Sequence, residues 1–362
     1  RGRRRKRGFA TWSIGKKIGA VLGGTLLGVV VIGSVILASK MNKLSSVKLD
    51  TDKLNISDEV KHEKGYTNVA LFGLDSREND LGKGNRSDTI IIASLNNDTK
   101  EVKLVSIYRD TLLELDDGSY NKANSAYSFG GPEGAVSLIN RNLDMNIEKY
   151  VTVNFNALVD VIDAVGGLDL ELTHDEVVHM NNYCVETSKV TGKKYKKIEP
   201  AVAGTYKLNG VQAVSYARIR YTAGGDYKRT ERQRLVLKKT ADKLKQQDLA
   251  TLNKIIDKVM PEVSTSFTTK EILSLATGAF DYELGETTGF PFDLETPEQI
   301  PGYSGSYVIP KGLEENVIKL HQFLYPNKDY TPTATVTDIS NTLNDMTNVY
   351  PNTTESGTSQ NE

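Results

Sequence analysis

The longest hydrophobic run lies near the start of the chain, where residues 18–38 (IGAVLGGTLLGVVVIGSVILA) carry no charge. As a helix they would rise about 31 Å, the depth of a bilayer core, and they are read as one transmembrane helix. Shorter runs with other periods follow. Residues 67–74 (TNVALFGL) are almost continuously apolar, which predicts a strand buried on both faces. Residues 88–95 (DTIIIASL) and 102–108 (VKLVSIY) predict two further strands, and the turn-rich NNDTKE between them makes an antiparallel hairpin. After a polar stretch to Asn124, Pro132 opens a helix to about Asn142. Residues 150–155 form another strand, and Asn156 caps a helix with apolar positions 158, 161, 162 and 165, closed by Gly166 or Gly167. Residues 168–172 alternate as a half-buried strand, and 211–217 form a short helix. Thr268 and Glu271 fit a capping box before a helix to Phe280, and 312–324 a final helix. Strands alternating with helices predict an α/β domain over 66–326, three-layered (α-β-α) about a central mixed sheet.

The segments between and around these runs are polar. Residues 39–65 read as a stalk, 181–200 (NNYCVETSKVTGKKYKKIEP) as a lysine-rich insertion forming an exposed loop or hairpin, and 327–362 as a disordered tail. Charge adds an orientation. The chain's formal net charge is -1, yet residues 1–17 hold eight positive charges and no acid. By the positive-inside rule this tail stays in the cytoplasm, which places the large domain outside a single-pass cell-membrane anchor. A basic arm abutting a membrane span points to anionic lipid rather than to nucleic acid. Gly19 and Gly23, and Gly24 and Gly28, have the spacing that packs two membrane helices together, so a homodimer is an open expectation. The single cysteine, Cys184, rules out an internal disulfide. His174 and His179, five apart, are misplaced for two ligands on one helix face.

Candidate chemistry concentrates in residues 217–234 (ARIRYTAGGDYKRTERQR), which hold Arg218, Arg220, Arg229, Arg232 and Arg234 with Asp226 and Gln233. Gly224 and Gly225 read as a loop, and Asp226 as the N-cap of a helix to about Gln247. Asp226, Arg229 and Gln233 then share a face with Arg232 beside them, while Arg218 and Arg220 alternate as on an extended segment. Such a basic cup at a helix N-terminus suits phosphate; an ordinary solvated helix face is the alternative that periodicity alone leaves open. Three strand ends add Asp75 with Arg77, Arg86 with Asp88, and Arg109 with Asp110. Carboxylates interleaved with arginines would repel a phosphate unless a divalent cation bridged them.

GLDSR at 73–77, RSDT at 86–89, SIYRDT at 106–111, NKANSAYSFGG at 121–131, and ARIRY followed by GGDYKRTERQR at 217–234 together resemble the motifs of the LytR-CpsA-Psr family, in order and spacing. The resemblance implies a magnesium-dependent (or manganese-dependent) phosphotransferase of cell-wall assembly. Such an enzyme moves a glycopolymer, of teichoic acid or capsule type, from a polyprenyl-pyrophosphate carrier to peptidoglycan and releases polyprenyl phosphate. Carried over by motif, Arg86, Arg109, Arg218, Arg220, Arg229 and Gln233 would hold the pyrophosphate, with Arg232 and Lys122 beside them. Asp75 and Asp88 would hold the metal ion, and Asp75 or Asp226 would serve as general base, with Arg109 also acting in the chemistry. Residues 157–165 are apolar enough to line a groove for the lipid. A lipid-binding regulator without turnover and a pyrophosphate hydrolase would use the same cup. The chain departs from the family pattern at Tyr108, where proline often precedes the Arg-Asp pair, and at Tyr227-Lys228, where an aromatic–glycine pair is commoner.

Overall fold

The computed structural model describes residues 45–60, 64–74, 81–268, 270–272 and 281–351, without the side chains of residues 45, 46, 226, 249 and 253. The basic tail, the span at 18–38, Asp75 with Arg77, and the helix expected up to Phe280 lie outside the described residues. Among those described, no helix is long and apolar enough to cross a membrane.

Seven strands form one sheet: β1 (Ser45–Ser46), β2 (Tyr66–Leu74), β3 (Ser87–Asn96), β4 (Glu101–Ile107), β7 (Lys149–Asn154), β10 (Val263–Thr265) and β11 (Glu283–Phe290). Their order is β1-β10-β7-β2-β3-β4-β11, with β2 parallel to β7 and antiparallel to β3. The sheet is mixed, as expected, and β3 and β4 make the antiparallel pair. Alternation along β2 explains its continuous apolarity. Ala70, Phe72 and Leu74 face one hydrophobic layer, whereas Val69 and Leu71 face another. Helices cover both layers. The first is covered by α1 (Ala123–Leu143), which follows the small hairpin of β5 (Leu112–Glu114) and β6 (Tyr120–Lys122). The second is covered by α2 (Phe155–Ala164) and the far half of α5 (Gly225–Leu244), with α6 (Leu249–Val259) beside them. A third, smaller cluster packs the other side of α2 against the β8 (Leu168–Leu172) and β9 (Gly204–Leu208) hairpin, α3 (His174–Thr191) and α4 (Gly210–Ala217). Gly210 is needed there, because a Cβ would meet the Val159 carbonyl oxygen at 2.3 Å.

Several expectations need correction. The stalk is not all linker: Ser45–Ser46 adds an edge strand beside β10, and Leu49 and Leu54 are buried in the core. The supposed insertion at 181–200 begins as helix. Thr173 and Glu176 close a capping box on α3, whose Val177, Met180, Cys184 and Thr187 are buried at helical spacing. Pro132 does open a helix as expected, but a further helical stretch from Ala123 precedes it across a kink at Gly131, whose φ of 66° and ψ of -155° are not helical, and the two together make α1. The cap of α2 is Asn154 rather than Asn156, its side chain accepting from the Ala157 amide at 2.8 Å. The tail at 327–362 is ordered in part. Helix α7 (Leu313–Leu324) is followed by α8 (Ala334–Thr347), which buries Val336, Ile339 and Leu343 in the first layer.

Cys184 is fully buried, and burial pushes its thiol up to about 11. A thiolate is the reactive species, so the folded chain is expected to resist a charged thiol reagent at pH 8 and to react stoichiometrically in denaturant. Rapid labelling under native conditions would show that α3 opens.

Candidate functional site

The C-terminal ends of β2, β4 and β7 and the start of β3 gather at one edge of the sheet, beside the N-terminus of α2 and the first turns of α5. Between them lies a cavity of about 280 Å³. One wall is charged and polar, formed by Asp88, Arg109, Arg218, Arg220, Arg229 and Gln233. The other is apolar, with Leu71, Ile91, Phe155, Leu158, Val214 and Leu237 among its residues. Topology explains the gathering. Strand ends meeting helix N-termini leave backbone polar groups and short loops facing the same crevice.

The arginines arrive from three elements. Arg109 follows β4 and pairs through Nη1 with the Asp88 carboxylate of β3, while its Nε lies 3.5 Å from Asp110 Oδ2. Arg229, in the second turn of α5 and only 3% exposed, donates from Nη2 to the Asp88 carbonyl at 3.3 Å. Arg218 caps the C-terminus of α4 with helical backbone rather than the extended backbone expected, and Arg220 follows two residues later in an irregular stretch. The Arg218 guanidinium lies 4.8 Å from the centre of the Phe155 ring and 5.7 Å from that of Tyr183. It donates to Thr187 Oγ1 at 3.0 Å and pairs with Glu186 at 3.1 Å. Burial, helped by nearby Tyr221, holds the Tyr183 phenol above its ordinary pKa, so this ring stays a neutral platform for Arg218.

Four guanidinium groups against one carboxylate, Asp88, make the described lining strongly cationic. Forked donors in a half-buried site suit phosphate oxygens, and the apolar wall suits a hydrocarbon next to them.

Other expected site residues are elsewhere. Lys122 is turned to Asp110, with Nζ at 2.9 Å from Oδ1 and over the Tyr307 ring, and it does not line the cavity. Arg86 is exposed one residue before β3 and outside the lining. Arg232 faces away: it is 5% exposed, bound to Glu176, and borders a separate groove with Thr173, Asp175 and Glu231. Arg234 donates to Ser106 Oγ at 2.9 Å beneath the helix, where burial lowers its pKa. Asp226 is the second residue of α5, whose N-cap is Gly224 in the left-handed region at φ 89°. That position favours glycine, which is why the aspartate does not occupy it. Of the groove expected on 157–165, Leu158 lines the cavity, joined by Phe155 just outside that range, while Val161 and Ile162 face hydrophobic clusters.

Sequence reading missed Asn154, Phe155 and Tyr183 as lining residues. The first two follow a buried strand directly at a helix start, a signal that was available; Tyr183 sat in the segment read as an insertion. The two departures from the family pattern meet each other. Tyr108 and Tyr227 pack edge to face with ring centres 4.7 Å apart, tying the end of β4 to the first turn of α5. Such a pair contributes about 0.5–1.5 kcal/mol beyond its buried area and keeps Arg109 and Arg229 in register.

The family described as LytR_cpsA_psr matches residues 31–284. The polyisoprenyl-teichoic acid–peptidoglycan teichoic acid transferase TagV of Bacillus subtilis is 30% identical over 302 residues, covering 78% of this chain and 70% of that one. Biofilm regulatory protein A of Streptococcus mutans is 33% identical over 221 residues, 58% of this chain and 52% of that one. Among solved structures, the crystal structure of B. subtilis TagV superposes with a TM-score of 0.55 at 28% identity, covering 75% of this chain and all of that one (100%). On this match in sequence and fold, the chain belongs to the LytR_cpsA_psr (LytR-CpsA-Psr) family.

Proposed function

We propose that this chain transfers a glycopolymer phosphate from a polyprenyl-pyrophosphate carrier to a hydroxyl of peptidoglycan, as a membrane-anchored extracytoplasmic enzyme. The observation that carries the proposal is the two-sided cavity. A pyrophosphate fits the guanidinium wall formed by Arg109, Arg218, Arg220 and Arg229, and an isoprenoid fits the wall of Phe155, Leu158 and Leu237. In the reaction the acceptor oxygen bonds to the phosphorus that carries the glycopolymer. The bridging P–O bond breaks, polyprenyl phosphate leaves with the electron pair, and the hydroxyl proton passes to a carboxylate, with Asp75 or Asp226 in that role. Phosphoryl transfer spreads charge over several oxygens, so fixed cationic donors supply most of what the step needs.

The donor set also fits a divalent cation. Asp88 offers a half-buried carboxylate on the cavity wall, and Asp75 directly follows β2, which contributes Gly73 to that wall. Magnesium is commonly bound by one or two carboxylates together with substrate phosphate. Asp88 and Asp75 would hold Mg²⁺ (or Mn²⁺), which would neutralise phosphate charge as the bridging bond breaks. Arg109 holds the Asp88 carboxylate in place until then.

The test is to incubate the full chain with a polyprenyl-pyrophosphoryl oligosaccharide and peptidoglycan fragments, with magnesium or with EDTA. A sugar phosphodiester on peptidoglycan and free polyprenyl phosphate are expected with magnesium, at a rate about 100-fold or more above that in EDTA. Tight binding of the lipid without transfer would instead favour a regulator, and release of polyprenyl phosphate and oligosaccharide phosphate without acceptor a hydrolase.

A further inference from the structure

Arg232 and Glu176 do work that neither the motif nor the cavity reveals. Arg232 is one residue from Gln233, yet its guanidinium is turned under the segment that connects α4 to α5. Nε donates to Glu176 Oε1 at 2.9 Å, Nη1 to the Ile219 carbonyl at 3.2 Å and Nη2 to Thr222 Oγ1 at 2.7 Å. Ile219 lies between the two cavity arginines Arg218 and Arg220, so this side chain grips the segment that carries both. Glu176 is itself anchored. Its Oε2 accepts from the Thr173 amide at 3.0 Å as half of the α3 capping box, leaving Oε1 for Arg232.

The same face of α3 touches the segment again at each turn. His179 lies beside Tyr221 with ring centres 6.2 Å apart, Tyr183 lies under Arg218, and Glu186 and Thr187 bond its guanidinium. Positions 176, 179, 183, 186 and 187 follow helical spacing, so a rigid helix supports the arginine segment along one side.

We infer that Glu176 and Arg232 are positioning residues: a buried ionic brace between α3 and α5 that fixes the Arg218–Thr222 segment so that Arg218 and Arg220 meet the phosphates. Glu176 does not line the cavity and reaches it only through Arg232. A planar fork with three separately aimed donors cannot be replaced by a lysine ammonium. The effect on ligand binding rests on the function proposed above, whereas the brace itself does not.

Glu176→Gln is the sharper variant, because glutamine at the third helical position still completes a capping box. Arg232→Lys is the companion. Two readouts are taken on the full chain. The first is amide hydrogen exchange without ligand, where both variants are expected to speed exchange within residues 219–223 about tenfold with the β2 and β3 amides unchanged. The second is calorimetric binding of farnesyl pyrophosphate, expected to weaken by about 10- to 100-fold in both, since small displacements of catalytic donors cost that much. The double variant should be scarcely weaker than either single one, because the same brace is broken. Unchanged exchange in both variants would overturn the brace, and so would faster exchange with unaltered affinity. If the wild-type chain binds no farnesyl pyrophosphate, the proposed function fails, and the exchange comparison alone decides the brace.

Discussion

Replacing Arg220 by alanine is expected to lower kcat/KM for glycopolymer transfer by about 10³-fold, with a melting temperature close to that of the wild type. Arg220 lines the cavity, is only half-buried, and sits in a turn segment whose loss of one side chain leaves the sheet and its two layers intact. In the proposed reaction its stabilisation of the transition state would be electrostatic and directional. Lysine at this position keeps the charge but loses the fork, so Arg220→Lys should recover only part of the activity, about tenfold above the alanine variant. Steady-state kinetics on both variants, with melting curves beside them, checks the expectation. A loss below about fivefold in Arg220→Ala would remove this residue from the phosphate site.

The largest stability effect is expected far from the cavity, at Asp144. This residue is 2% exposed, ends α1 in the left-handed region at φ 49°, and accepts three hydrogen bonds from the C-terminal segment. Tyr330 Oη donates at 2.6 Å, the Thr333 amide at 2.8 Å and Thr333 Oγ1 at 2.8 Å. Burial and the Asp144 carboxylate both raise the Tyr330 pKa, so the phenol remains a donor at all ordinary pH. The Tyr330 ring also stacks on His321 at 3.7 Å, fastening the start of α8 to α7. Asp144→Ala leaves these donors without their acceptor in a buried place and should cost about 3–5 kcal/mol. Chemical denaturation measures the loss, and limited proteolysis should show cleavage near residue 330 before the sheet opens. A loss under about 1 kcal/mol would mean that α8 is held by its apolar stripe alone.

Legibility followed burial. The strands β2, β3 and β4 could be read because layers of helix cover both faces, so their buried stretches are largely apolar. Helix α8 could not, since Val336, Ile339 and Leu343 are a narrow stripe in a run of Thr, Ser, Asn and Asp that composition reads as disorder. Helix α3 was hidden for a related reason. Its stripe of Val177, Met180 and Cys184 runs into the lysines of 193–197, and their charge dominated the segment. In the site, arginine content singled out Arg109, Arg218, Arg220 and Arg229, and these four share the cavity. It could not separate Arg229 from Arg232. The two are three positions apart and nearly on one helix face, but α5 lies between two grooves, and the partner that turns Arg232 away comes from α3.

The central claim is that one cavity holds the pyrophosphate on its arginines and the isoprenoid on its apolar wall. A crystal structure of the chain with a polyprenyl-pyrophosphoryl oligosaccharide tests this most directly. Phosphate density is expected within hydrogen-bonding distance of Arg109, Arg218, Arg220 and Arg229, with the hydrocarbon against Phe155 and Leu158. A pyrophosphate bound instead in the groove beside Asp175 and Glu231, with this cavity left to solvent, would contradict it.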